Sequence, residues 1–412
     1  MNSKTNRPQA KGGLLIALCW LVYATSYVTK LSYNANISQI GDAFGVSYSE
    51  AGTVPTFFFF AYGIGQVVNG ILCKKYNIRL VIFFCLLGSA AANFAIPFLS
   101  EFAYIKYVWL INGILLSFLW TSIIRLLSET LPTTDIKRAI VIMGTTVATG
   151  TFTVYGLSSL FAAYASFRTV FIVAAALCAS VALLWLILYK RLVTPLAEKR
   201  CESIKEAKLN GGTGFFSSGL FPLISVLALF CIANNFVKDG LTAWTPDILK
   251  STYGTPDWLS IFLTLLLPLL AISGAFVAVK LQGVTKSFIG SCTVLFAISG
   301  LLTGLVILLL STSLLPLTVA SFAIVSCLMA SANDILTSMV PLSLRDKIPS
   351  GKLAGILNGF CYLGSTASSY TLGVIADAFD WRAVFITLFF VTCLMVLTGG
   401  TYLIIRRLKK QA

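Results

Sequence analysis

Long apolar runs, broken by short polar segments, make up most of this 412-residue chain. Crossing a bilayer takes about 20 predominantly apolar residues. Runs of this kind occur at residues 13–40, 50–73, 80–99, 105–130, 138–162, 168–190, 217–248, 256–280, 286–310, 314–340, 352–378 and 380–406. The pattern therefore predicts an all-α membrane protein with twelve transmembrane helices.

The positive charges of the connecting segments orient these helices. If both termini lie in the cytoplasm, 23 lysines and arginines fall in cytoplasmic segments and four fall outside. An excess of basic residues in cytoplasmic loops is typical of membrane proteins. We therefore expect cytoplasmic termini, and a multi-pass protein of the plasma (inner) membrane.

Composition narrows the class of protein further. Hydrophobic residues make up 57% of the chain and charged residues 11%, while the net charge is +15. Most of this charge belongs to the cytoplasmic loops, so we expect a lipid bilayer and no nucleic acid as partner. The chain has no histidine, which excludes histidine-based catalysis and histidine metal sites.

Sequence signatures of enzymes are also missing. The chain has no Walker A sequence, nucleophile elbow or kinase signature, and its ten cysteines form no CxxC pair. We therefore predict that the protein is not an enzyme and uses no cofactor or metal. We also expect a monomer.

A polar segment divides the chain into two similar parts. Residues 191–215 form the one long charged connection between spans, which we interpret as a solvated linker rather than a regulatory patch. The segment around Phe167 and Arg168 resembles that around Trp381 and Arg382. We predict parallel six-helix bundles at residues 1–190 and 216–412, a duplication that places a binding site between the halves near the midplane.

Two lysines lie deep within predicted helices. Lys30 in helix 1 and Lys238 in helix 7 are 208 residues apart, so the duplication places them at similar depth in opposite halves. A charge at the centre of a bilayer costs at least about 2.5–3.5 kcal/mol. Their one neighbouring acid is Asp239, and adjacent helical residues point about 100° apart, so we expect imperfect pairing. An anionic substrate would supply the missing charge.

Polar and aromatic residues form stripes on several predicted helices. Tyr27 shares a face of helix 1 with Lys30, and Asn235 shares a face of helix 7 with Lys238. Similar polar positions are Tyr62 on helix 2 and Asn358 and Tyr362 on helix 11. We expect these side chains to orient the substrate. The alternative is that they only form hydrogen bonds between helices.

Two further charges lie at equivalent positions near the cytoplasmic ends of helices 4 and 10. Arg125 and Asp334 are 209 residues apart and could form a gating salt bridge between the halves. Each could equally pair within its own half. Asp334 and Asp239 are also the candidates for carrying a proton.

Several motifs resemble those of the major facilitator superfamily, and within it the organophosphate:phosphate antiporters. The loop from Gly70 to Arg79 sits where the superfamily has G-x-x-x-D-R-x-G-R, although Lys74 replaces the usual acid. The segments with Asn112-Gly113 and Trp120, from Trp244 to Lys250, and from Leu353 to Phe385 resemble the antiporters' helix 4, helix 7 and helices 11–12. The resemblance implies a twelve-helix transporter.

The resemblance also implies roles for the two lysines. The antiporters hold the substrate phosphate with arginines on helices 1 and 7, which align with Lys30 and Lys238; the family's histidine on helix 5 has no counterpart here. We expect a secondary transporter that exchanges a phosphorylated metabolite for phosphate by alternating access. The alternatives are a proton-coupled symporter of another organic anion, such as a carboxylate, and a transporter-like sensor of phosphoesters.

Overall fold

The computed structural model describes residues 6–72, 76–201, 221–344, 348 and 350–411. Over these residues the chain is helical and contains no β-strand. The first part contains α1 (Asn6–Ala35), a short helix (Ile37–Phe44), α2 (Tyr48–Leu72), α3 (Ile78–Ala95), α4 (Phe102–Ser117 and Leu119–Thr130), α5 (Thr133–Gly144 and Thr146–Tyr164) and α6 (Phe167–Cys201). The second contains α7 (Phe221–Tyr253), α8 (Asp257–Thr264, Leu266–Ala271 and Gly274–Thr285), α9 (Phe288–Leu309), α10 (Leu315–Asp334, the π-helical turn Ile335–Met339, and Val340–Ser343), α11 (Ser350–Ala378) and α12 (Trp381–Gln411).

Local sequence explains several helix ends. The Asn77 side chain accepts a hydrogen bond from the backbone N–H of Arg79 at 3.0 Å, which caps the start of α3. The Ser287 hydroxyl caps α9 in the same way, accepting from Gly290 N at 3.2 Å. Gly45 ends the short helix in the left-handed conformation with a φ of 63°, which glycine adopts without steric cost.

Ten of the described helical stretches are long and apolar enough to cross a membrane. Large apolar side chains remain exposed on many of them, as expected where helices face lipid rather than water. The more polar stretches at the predicted fifth and eleventh positions, 133–164 and Ser350–Ala378, are not among the ten. The predicted all-helical membrane fold is therefore confirmed, whereas the count of twelve spans and the cytoplasmic termini stay predictions.

Most predicted spans lie within the helices described here, and the main difference is at α6. The predicted span ended at residue 190, but α6 continues to Cys201, so the predicted linker begins as helix. The rest of that linker, from residue 202, lies outside the described residues, as does Lys74. The division of the chain at residues 191–215 therefore stays a prediction.

Helix packing follows the same order in both halves. In the first half, α1 packs on α5, α2 on α4, and α3 on α6; in the second, α7 packs on α11, α8 on α10, and α9 on α12. The halves meet along α2 with α11 and along α5 with α8. Each of these three pairs in the first half thus has a counterpart six helices later, as a duplicated chain requires.

Polar contacts join the halves at the end where α1 terminates, opposite the N-terminus. Asp377 at the end of α11 accepts hydrogen bonds from the backbone N–H groups of Tyr48 and Ser49 at 2.9 and 2.6 Å. The Lys250 ammonium contacts Asp42 of the other half and lies 2.8 Å from Asp257. These contacts hold the halves together at this end, which we call the closed end.

The approach of α2 and α11 at the closed end depends on a glycine. A Cβ atom added at Gly373 would lie 2.6 Å from the backbone oxygen of Tyr48, which cannot easily move. A Cβ at Gly355, on the same helix, would meet nothing within 4 Å. We therefore expect Gly373→Ala to open the closed end, with Gly355→Ala as the matched control.

A reporter cysteine at Ser369 can measure this opening. Ser369 lies on α11 and is buried where α11 packs against α2, so a cysteine there reacts with a reagent only when the helices separate. In a background with the native cysteines replaced by serine, alkylation of Ser369→Cys should be several-fold faster with Gly373→Ala than with Gly355→Ala. Equal alkylation rates in the two variants would show that the glycine does not govern closure.

Candidate substrate site

Lys30 lies in a cage of aromatic rings between the two halves. Its side chain is 6% exposed, and its Nζ lies 5.0 Å from the ring centre of Tyr27, 4.4 Å from Tyr62 and 5.2 Å from Tyr362. Phe58 and Phe59 complete the cage at 5.7 and 5.6 Å. The rings come from α1, α2 and α11, so both halves surround the cation. Contacts of a desolvated cation with such rings stabilise it by about 2 kcal/mol or more.

No carboxylate pairs with Lys30 in the part of the chain that the structure describes. Ion pairs of described residues involve Lys238, Lys250 and Arg125, and none of them includes Lys30. A buried cation is ordinarily paired with an anion or strongly hydrogen-bonded. The ring faces carry partial negative charge, but none of them is a carboxylate. Lys30 therefore remains able to bind an anion.

Hydrogen bonds between buried polar side chains fix the helix that carries Lys30. Asn93 and Asn112 each donate to the backbone oxygen of Thr29, at 3.1 and 3.2 Å. The Ser89 hydroxyl bonds to Thr29 and Asn112 at 2.9 and 2.7 Å. This network ties α1 to α3 and α4 one residue before Lys30, so it sets the depth and direction of the lysine.

Lys238 has a different environment from Lys30. Its Nζ lies 3.4 Å from Oδ1 of Asp239, and both side chains are partly exposed, at 26% and 21%. Asp239 Oδ2 also accepts hydrogen bonds from Asn235, at 3.2 Å, and from Ser365 on α11. The pairing of neighbouring residues that the sequence made doubtful is therefore present, and the carboxylate is held in place from two helices.

The two lysines lie in opposite halves but within electrostatic reach of each other. The charges of Lys238 and Asp239, in the second half, both act on Lys30 in the first half. Asp239 also acts on Tyr27 of α1, Tyr155 of α5 and Tyr362 of α11. Of the residues that sequence reasoning had selected, the structure places Lys238 and Asn235 against Asp239. It places Tyr27, Tyr62 and Tyr362 around Lys30.

The remaining predicted residues line the contact between α2 and α11. Asn358 donates a hydrogen bond to Gln66 at 3.1 Å, and the rings of Tyr62 and Tyr362 are 4.7 Å apart. Asn358 is therefore engaged between the halves, beside the ring cage rather than within it.

Arg125 and Asp334 do not form an ion pair with each other among the described residues. Arg125 Nε instead lies 2.7 Å from Glu129, one turn further along α4. Asp334 is the last residue before the π-helical turn of α10 and lies within electrostatic reach of Lys238. In this conformation Arg125 thus has a partner in its own half.

Sequence reasoning missed several residues of the site. Phe58 and Phe59 sit within a run of four phenylalanines that carries no periodic signal, so their contact with Lys30 depends on the packing of α1 against α2. Thr29 and Ser89 appear as ordinary small residues until the helices pack. Ser365 lies three residues after Tyr362 and so shares its face of α11, but its bond to Asp239 could not be located from the sequence.

A known protein family matches most of the chain. The family model described as Major Facilitator Superfamily matches residues 19–350. The chain belongs to the major facilitator superfamily. Membership makes it a transporter-family protein rather than an enzyme, and a multi-pass protein of the membrane. The predicted superfamily resemblance is confirmed.

Two kinds of curated relatives match the chain. The membrane sensor protein UhpC of Salmonella typhimurium is 22% identical over 395 residues, which cover 90% of this chain and 87% of that protein. Sugar phosphate exchanger 3 of Xenopus laevis is 31% identical over 84 residues, covering 19% of this chain and 17% of that protein. These relatives support the predicted resemblance to the organophosphate:phosphate antiporters.

Solved structures show the same fold. A bacterial homologue of the human lysosomal transporter Spinster, in an inward-facing and occupied conformation, matches with a TM-score of 0.78 at 13% identity, covering 96% of this chain and 97% of that one. The D-xylose-proton symporter matches with a TM-score of 0.71 at 15% identity, covering 93% and 95%. At these identities the likeness shows the fold alone.

The two lysine environments predict opposite effects of the same substitution. Lys30→Met removes an unpaired buried cation and keeps its volume, a change that is often neutral or stabilising. Lys238→Met leaves Asp239 without its cation and should cost about 1 kcal/mol, because the pair is partly solvated. Without ligand, the Lys30→Met protein should therefore unfold at a higher temperature than the Lys238→Met protein. The reverse order in detergent-solubilised protein would contradict the two environments.

The pairing of Arg125 predicts the outcome of charge swaps. The double variant Arg125→Asp, Glu129→Arg should restore most of the uptake that Arg125→Asp loses, because it re-forms the contact within α4. The double variant Arg125→Asp, Asp334→Arg should not restore it. Rescue by the second swap and not the first would show instead that the bridge between the halves is the one that matters for transport.

Proposed function

We propose that the protein is a secondary transporter of a small organic anion, specifically a phosphorylated metabolite that it exchanges for phosphate by alternating access. The observation that carries this proposal is the Lys30 ammonium, buried between the halves without a carboxylate partner in the described residues. A bound anion would supply the negative charge that no described side chain places beside Lys30. Lys238, on the other half, would share the same anion.

Phosphate chemistry suits the two basic groups. Lysine binds phosphate as a compact point charge with three donors and needs no fixed planar geometry. The sugar phosphate exchanger supports this class of substrate by its name, and the motifs of the antiporter family support it by their positions. A carboxylate would also be attracted, which keeps a proton-coupled symporter of another organic anion as the rival transport mechanism.

The organic part of the substrate would lie against the residues around the lysines. Tyr27, Tyr62 and Tyr362 offer ring faces and hydroxyl groups beside Lys30, whereas Asn235 offers an amide beside Lys238. Rings of this kind suit the apolar face of a sugar, and the polar groups suit its hydroxyls. Asn358 would act from the neighbouring contact with α2.

Exchange would follow from the charge of the site. An empty site leaves a net positive charge between the halves near the membrane centre, and moving that charge during reorientation is costly. A bound anion neutralises the site, so the loaded carrier reorients more easily than the empty one. With the predicted cytoplasmic termini, the closed end faces outward.

Proteoliposomes test the exchange. Uptake of a labelled phosphate ester should be much faster into vesicles preloaded with phosphate than into empty vesicles, and Lys30→Ala and Lys238→Ala should each abolish the difference. Equal rates in preloaded and empty vesicles would refute obligatory exchange. Uptake driven by a pH gradient, and lost in Asp239→Asn or Asp334→Asn, would favour the symporter.

A sensor is the second candidate function. The specific observation in its favour is the similarity to the membrane sensor protein UhpC along 90% of this chain. A sensor would bind the phosphate ester at the same lysines but would not move it across the membrane. Binding to the purified protein, together with absence of uptake into preloaded vesicles, would identify a sensor.

A further inference from the structure

The candidate site contains one carboxylate, that of Asp239, beside its two lysines. Asp239 lies 3.4 Å from the Lys238 ammonium, and its charge also reaches Lys30. Two lysines and one ionised carboxylate leave a net charge of +1. An anion that enters this site therefore meets one uncompensated positive charge rather than two.

The position of Asp239 is built rather than incidental. Asn235, one turn earlier on α7, donates to Oδ2 at 3.2 Å, and Ser365 on α11 donates to the same atom. These two donors hold the carboxylate in place beside the Lys238 ammonium. Close packing supports this arrangement, because a Cβ at Gly364 would collide with the backbone oxygen of Ile232 on α7.

Charged and titratable groups on several helices lie within electrostatic reach of Asp239 or of its lysine partner. They are Lys238 on α7, Lys30 and Tyr27 on α1, Tyr155 on α5, Tyr362 on α11 and, acting on Lys238, Asp334 on α10. Asp334 forms no ion pair with Lys238 among the described residues, so its effect on the site should be weaker than that of Asp239.

We propose that Asp239 sets the charge of the substrate: the intact site selects the monoanionic form of a phosphate ester, and removal of the carboxylate shifts selection toward the dianion. This inference rests on the proposed function, since it concerns the anion held by Lys30 and Lys238. A dianion would lie beside the fixed negative charge of Asp239, whereas a monoanion balances the remaining cation. Asp239 is in this sense a specificity residue.

Two small phosphate esters separate charge from shape. Methyl phosphate is a monoanion at about pH 5 and a dianion at about pH 8, because the second pKa of a phosphate monoester is about 6. Dimethyl phosphate has one ionisable oxygen and stays a monoanion at both. Any change in the binding of dimethyl phosphate between the two pH values therefore measures titration of the protein, and the methyl phosphate data are corrected by it. Dissociation constants would be measured by calorimetry on the purified full-length protein in detergent.

In the wild-type protein, methyl phosphate should bind about tenfold more weakly at the higher pH, relative to dimethyl phosphate. At an effective dielectric constant of about 20, one unit charge alters the binding of another about 6 Å away by about a hundredfold, and attraction to the lysines offsets part of this effect. In Asp239→Asn this weakening should disappear or reverse. Asp239→Glu, which keeps the charge, should retain it, as should Glu101→Gln, which removes a negative charge from an exposed loop.

The outcomes distinguish the two proposals. If the wild-type protein binds neither ester, the proposed function itself fails. If it binds both but prefers the dianion, or if Asp239→Asn keeps the wild-type pH dependence, the phosphate site stands and the role of Asp239 is overturned. Loss of all binding in Asp239→Asn, with Asp239→Glu still binding, also overturns the role, since Asp239 would then be required for binding as such.

Discussion

The structure is organised around a cation, Lys30, that is buried inside a membrane protein and has no carboxylate partner among the residues that the structure describes. Burying Lys30 costs free energy, and the chain offsets part of that cost with five aromatic rings from three helices. Because those rings belong to both halves, α2 and α11 must stay close together beside the lysine. The hydrogen bonds to Thr29 hold α1 at the required depth. The packing of the two halves against each other is therefore coupled to the charge and contacts of the Lys30 ammonium.

The two halves differ most clearly at their central lysines. The packing order of the helices repeats, yet one central lysine is surrounded by rings and the other by a carboxylate, an amide and a hydroxyl. The ring cage presents mainly aromatic faces to Lys30, whereas the environment of Lys238 is polar and partly open to solvent. A substrate that spans both would meet an apolar surface at one end and hydrogen-bonding groups at the other.

Sequence patterns predicted the elements better than their contacts. Apolar runs and the charges of the loops predicted the membrane helices, and two charges within apolar runs selected Lys30 and Lys238, because a charge in hydrocarbon requires an explanation. The contribution of Phe58 could not be predicted, since phenylalanine in a membrane helix is as suited to lipid as to a cation. The local partner of Arg125 was left open because a rotamer, not a spacing, decides between Glu129 and a more distant acid.

Helix α11 carries Tyr362 and Ser365, which are three residues apart and so share a face. One contributes a ring to the cage around Lys30, and the other donates a hydrogen bond to the carboxylate beside Lys238. A small axial rotation of this single helix would move both groups at once, in the same sense and by similar amounts. The occupancy of one half would thus be communicated to the other mechanically, through the rigid body of α11, without a relay of intermediate residues.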